Sequence, residues 1–233
     1  MFPKKYIVKV IANRNRIAIG AIRLILFAEV LASIYEFNWM ALFISFLALV
    51  LSFSPEFFRR RYQIVLPTFF QFFIIVFIFA TLFLGESQSF YYKYWWWDSL
   101  LHLFSGVALG FTGFLIVHLL HKTGGFNARP VLFAVLAFCF ALAAGTLWEI
   151  FEYFSDRFLS LNMQKAKNLC EIGATYCDTH LGVVDTMRDL ILDTIGALYA
   201  SVVGYLYLIR KTPSFFERLL SEFEDKNKHL FIK

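Results

Sequence analysis

The stretch DSLLHLFSGVALGFTGFLIVHLL, Asp98 to Leu120, decides the fold: 23 residues whose only charged side chain is the first. As a helix it would rise roughly 35 Å, enough to cross a hydrocarbon layer of about 30 Å. Similar apolar runs fall at Ile17 to Tyr35, Trp39 to Phe53, Val65 to Leu84, Pro130 to Phe154 and Asp185 to Ile209. The pattern predicts an all-α, polytopic membrane protein of about six transmembrane helices. The second run is short and the first is interrupted by Arg23 and Glu29, so these two are expected to lie at the interface or to pair with a neighbour.

Composition agrees with burial in lipid. Of the 233 residues, 59% are hydrophobic and only 17% charged, with a mean hydropathy of +0.63, against about 25% charged in soluble domains. The net charge of +5 does not point to nucleic acid, because the basic residues sit between apolar spans rather than along one polar face. Anionic lipid headgroups suit them better. With both termini in the cytoplasm, 16 Lys and Arg residues fall inside and four outside, namely Lys93, Arg157, Lys165 and Lys167. That asymmetry predicts an N-in, C-in topology.

Three regions are expected. Residues 1–97 would form a three-helix anchor and collar facing lipid, 98–209 a three-helix core, and 210–233 a cytoplasmic tail. In the tail, Ser214 and Glu217 fit a capping box. Phe215, Phe216, Leu219, Leu220 and Phe223 make one apolar stripe, expected to lie on the inner leaflet. The aromatic run YYKYWWW, Tyr91 to Trp97, suits a headgroup-level belt. Cys170 and Cys177 share an outer loop and would pair in an oxidising exterior, whereas Cys139 is expected free and buried. His118 and His121 are expected solvated at the inner surface. Neither internal repeats nor broken helices are legible.

The chemistry concentrates in the last three helices. The fourth opens with Asp98 and His102, the fifth ends with Glu149 and Glu152, and the sixth opens with Asp185, Asp189 and Asp193. Spacings of three and four put each set on one helical face. Counted from the inner boundaries at about 1.5 Å per residue, His102, Glu149 and Asp193 all lie roughly 26–30 Å up, near the opposite surface. Ionised side chains in a membrane cost about 3 kcal/mol each at its centre and need partners. Six carboxylates face only His102 and Arg188. A divalent metal ion would balance that excess, with His102, Glu149, Glu152, Asp189 and Asp193 as ligands and a spare carboxylate among Glu149, Glu152 and Asp189 as catalytic base. A reading without chemistry also stands: Asp98 and Asp185 as helix-start residues favoured by the dipole, Glu149 bonded across helices, and Arg188 neutralising Asp185 or Glu152. Gly106 with Gly110, and Gly196, Ala200 and Gly204, form small-residue ridges that let the fourth and sixth helices approach closely.

Three motifs carry a resemblance: W-D-x-x-x-H at Trp97 to His102, L-W-E-x-x-E at Leu147 to Glu152, and D-x-x-x-D followed by I-G-A between Asp185 and Ala197. Over roughly Trp97 to Gly204 the chain resembles the YjdF-like family of bacterial inner-membrane proteins, which has no established activity. That resemblance implies a multi-pass protein of the cytoplasmic membrane. The loop carrying Cys170 and Cys177 is longer than the family's usual Gly- and Asp-rich lead into the last helix. The site suggests three functions: a metal-dependent hydrolase or transferase acting on a lipid or lipid-linked substrate, a proton- or cation-coupled transporter, or a structural subunit.

Overall fold

Apolar periodicity gives way to long helices throughout the computed structural model, which describes residues 4–124, 129–158, 162–164, 181–210 and 215–231. In chain order these are α1 (Lys4–Tyr35), α2 (Trp39–Leu51), α3 (Ser54–Tyr62), α4 (Thr68–Ile78) with a π-helical continuation (Phe79–Ser87), α5 (Phe90–Lys93), α6 (Trp97–Lys122), α7 (Pro130–Phe158), α8 (Leu181–Arg210), α9 (Phe215–Lys226) and α10 (Lys228–Phe231). No strand occurs among the described residues. Among the described residues, five helical stretches are long and apolar enough to span a membrane, and a sixth arises if the bent pair α2 and α3 counts as one span. The chain is thus an all-α polytopic membrane protein.

Backbone contacts divide it into two units, one of residues 1–97 with 218–232, the other of 98–217. In the first, the expected continuous second span is broken: α2 and α3 meet at a bend of 43°. Pro55 sits at the start of α3, and a proline within a continuing helix would remove a hydrogen bond and clash with the preceding turn. Arg23 of α1 closes the break. Its guanidinium donates to the Ser52 carbonyl at 2.7 Å, to Ser52 Oγ at 3.2 Å and to both Glu56 oxygens at 3.0 and 3.2 Å, and it lies 4.0 Å over the Phe53 ring. Glu29 accepts from Ser87 Oγ at 3.1 Å. Both polar interruptions of the first run are therefore paired within this unit.

The tail helix corrects the expectation of a stripe resting on lipid. Phe216, Leu219, Leu220 and Phe223 are all at most 4% exposed, so this apolar face is covered by protein. Within the second unit, Phe216 packs on Phe111, Phe114 and Tyr207 at centroid separations of 5.4, 4.5 and 5.4 Å. Within the first, fully buried Asn227 brackets the Val65 peptide, accepting from its N–H at 2.7 Å and donating to its carbonyl at 2.8 Å. Glu222 accepts from the Thr68 N–H and hydroxyl and pairs with Lys226 at 2.7 Å. Burial alone would raise the Glu222 carboxyl, but the hydrogen bonds from Lys226 and Thr68 outweigh it and hold it below its ordinary value. A lipid stripe and a protein-packed stripe have the same periodicity, and only tertiary contact separates them.

Two single-residue expectations also change. Cys139 is free but exposed on the outer face of α7, and His118 is buried rather than solvated. His121 stacks edge-on against Phe133 at 5.2 Å. Cys170, Cys177 and Ser214 lie outside the described residues. In the aromatic run Trp95 is 84% exposed, beside a Phe90, Tyr94, Trp96 and Trp97 ring cluster at 4.9–5.8 Å.

Candidate metal centre

Helices α6, α7 and α8 build the site, and small residues let them approach closely beside it. On α7 the buried residues are Phe133, Ala137, Ala141, Gly145, Glu149, Glu152 and Ser155, a single stripe at spacings of three and four. Between α6 and α8 the backbones nearly touch. A Cβ at Gly106 would collide with the Asp193 carbonyl, and one at Gly196 with the Leu103 carbonyl and, at 2.8 Å, the Val107 nitrogen. Small residues at membrane helix crossings allow this approach. It brings the first turns of α6 against the middle of α8, beside the second half of α7.

His102 occupies the junction, 7% exposed. Two carboxylates face each of its ring nitrogens. On the Nδ1 side, Asp193 Oδ2 lies at 3.3 Å and Glu149 Oε1 at 3.8 Å. On the Nε2 side, Asp189 Oδ2 lies at 3.8 Å and Asp98 Oδ1 at 4.0 Å. Glu149, Asp189 and Asp193 are at most 3% exposed. Of the expected ligands, His102, Glu149, Asp189 and Asp193 thus converge. Glu152 is also buried but lies one turn further along α7, where Trp148 Nε1 donates to its Oε1 at 2.9 Å. Asp98, counted in the acidic set but not among the expected ligands, joins the cluster as well. Its signal was the four-residue spacing to His102, which places both on one face.

Neither oxygen of Glu149, nor Oδ2 of Asp189, makes a hydrogen bond. Buried carboxylate oxygens are ordinarily satisfied, and leaving them bare costs about 1–3 kcal/mol or more each. One imidazole, even protonated, cannot balance four carboxylates. One ligand atom each from Asp98, His102 and Asp189 lies within 4.8 Å of the other two. Atoms about 2.1 Å from a shared ion sit roughly 3–4 Å apart, so small side-chain shifts would close this triad around a cation. A mixed imidazole and carboxylate set suits Mn²⁺, Fe²⁺ or Zn²⁺ better than an all-oxygen cage would.

Similarity to other proteins extends past the cluster. No solved structure matches the chain. An uncharacterized protein of Thermotoga maritima is 30% identical over 136 residues, 58% of this chain and 59% of that protein. The chain thus spans less than two thirds of that relative's length. The profile of the family described as "Predicted membrane protein (DUF2238)" aligns with residues 16–210. That interval takes in nearly all of the described candidate spans, from Arg16 within the first to Arg210 at the end of the last, and all of the acidic cluster; by it the chain belongs to the Predicted membrane protein (DUF2238) family.

Proposed function

We propose that the chain is a metal-dependent membrane enzyme, a hydrolase or transferase, whose acidic site binds one divalent cation and acts on a lipid or lipid-linked substrate. The observation that carries this reading is the bare Asp189 Oδ2, in a residue 1% exposed, facing His102 Nε2 at 3.8 Å with Asp98 alongside. Asp98, His102 and Asp189 would hold the cation. When bound, it would supply Lewis acidity and activate water. Glu149, buried and 3.8 Å from His102 Nδ1, would serve as the proton acceptor. A lipid or lipid-linked substrate is the class favoured by the setting, three apolar helices long enough to span a membrane.

Added Mn²⁺ or Zn²⁺ is expected to raise the thermal midpoint of the purified, chelator-treated protein. Occupancy should fall at acid pH, since carboxylate and imidazole ligands must lose protons to bind. Asp98→Asn and Asp189→Asn should each abolish the shift. A wild type that neither gains stability from cations nor retains metal after purification would refute the reading.

Transport of a cation or proton is favoured by one observation, the helix broken at Ser52 and Phe53, because broken helices recur in carriers. Flux into proteoliposomes without turnover of lipid would establish it.

The charge asymmetry further supports an N-in, C-in orientation in a bacterial inner membrane, with the site outward. An impermeant thiol reagent applied to intact cells should then label a cysteine placed at Asn162 but not one at Lys228. The reverse pattern would invert the topology.

A further inference from the structure

The four carboxylates around His102 are not equivalent. On the Nε2 side the contacts, 3.8 and 4.0 Å, are too long for hydrogen bonds. On the Nδ1 side Asp193 approaches to 3.3 Å, and a carboxylate there can only accept. Asp193 is also the most constrained of the four. Its other oxygen lies 2.7 Å from Ser105 Oγ, whose single hydroxyl proton is shared between that carboxylate and the His102 carbonyl, 2.8 Å away on its own helix. A Cβ at Gly145 would come within 2.7 Å of Asp193 Oδ2, so α7 leaves just enough room for that carboxylate. The backbone of Asp193 is pressed against Gly106. Three helices therefore fix one side-chain position.

We infer that Asp193 is a positioning residue rather than a metal ligand: held by Ser105 and by the space at Gly145, it accepts the Nδ1–H of His102 and so turns the Nε2 lone pair toward Asp98 and Asp189. This inference rests on the cation reading above. Histidine ligands commonly donate their other N–H to a carboxylate, which fixes tautomer and ring orientation. Ser105 is the third member of the chain, keeping the carboxylate in register with the ring. Glu149, 3.8 Å from the same nitrogen, is left free for the proton-accepting role.

Cobalt(II) is a suitable probe, because its visible spectrum reports coordination and its hyperfine-shifted proton spectrum reports an imidazole N–H next to the ion. The wild type should bind one Co²⁺ and show one shifted, slowly exchanging N–H resonance. Asp193→Asn keeps shape, but its amide can donate to Nδ1 and so favour the wrong tautomer. Cobalt affinity is expected to fall about 10–100-fold, as for lost outer partners of metal-bound histidine, with the visible spectrum at saturation unchanged and the N–H resonance displaced and exchanging faster. Ser105→Ala should move affinity the same way by less, and it leaves all four carboxylates in place. Unchanged affinity in Asp193→Asn would overturn the positioning role while leaving the cation site standing. A visible spectrum altered in Asp193→Asn with the N–H resonance unmoved and exchanging as slowly as in the wild type would make Asp193 a ligand and overturn it too. A wild type that binds no cobalt defeats the cation reading and this inference with it.

Discussion

Gly196→Ala is expected to destabilise the protein severely, whereas Gly20→Ala is expected to leave stability unchanged or raise it. Both substitutions add one methyl group to a helix, where alanine is intrinsically favoured over glycine by about 1 kcal/mol. The surroundings decide the sign. A Cβ at Gly20 meets nothing within 4 Å, while one at Gly196 meets backbone atoms of Leu103, Gly106 and Val107. Backbone cannot rotate away as a flexible side chain can, so α6 and α8 would have to separate. Overpacking a core costs about 1–3 kcal/mol, and here the cost should sit at or above the top of that range. Separation would also move His102 away from Asp189 and Asp193. Thermal unfolding in detergent, with retained metal read in parallel, measures both effects. A Gly196→Ala midpoint equal to the wild type would mean that the α6 and α8 contact is not as tight as described.

That contact also shows what a sequence can reveal. Gly106, Gly110, Gly196, Ala200 and Gly204 stand out as ridges because small residues at spacings of four are visible in one dimension. The coincidence in height of His102, Glu149 and Asp193 follows from counting residues along three helices. Length and rise therefore sufficed to bring the cluster together. What they did not separate was Asp98 from an ordinary helix-start carboxylate, or Asp193 from its neighbours. That distinction rests on differences of less than 1 Å around one imidazole, set by how Gly145 and Ser105 meet Asp193. Such contacts join residues 48 and 88 positions apart in the chain, and helical periodicity carries no information across that separation. The tail is a similar case: the stripe from Phe216 to Phe223 is legible, but its covering by protein is not.

Arg23 is the other residue whose role depended on a distant partner, and its removal is the second large effect expected. An arginine within an apolar run needs partners, and it finds Glu56, Ser52 and the Phe53 ring. Arg23→Met keeps an unbranched side chain but leaves Glu56 without its cation and the Ser52 carbonyl without a donor. Breaking a fully buried ion pair by removing one partner costs about 3–5 kcal/mol. This pair is partly exposed, at 21% and 40%, so about 2–3 kcal/mol is expected. Adding Glu56→Leu removes the stranded charge and should recover part of the loss. It should not recover all of it, because the Ser52 carbonyl at the break still lacks its 2.7 Å donor. A double-mutant cycle on unfolding separates the two contributions, since only the charge pair appears as a coupling energy. If Arg23→Met stays within about 0.5 kcal/mol of the wild type, the level of an ordinary surface change, then the break between α2 and α3 is held by Pro55 and packing alone. If the double variant instead matches the wild type, the ion pair accounts for everything and the carbonyl contact contributes nothing. The intermediate result is the one the geometry requires, because a single guanidinium serves both the charge and the broken helix.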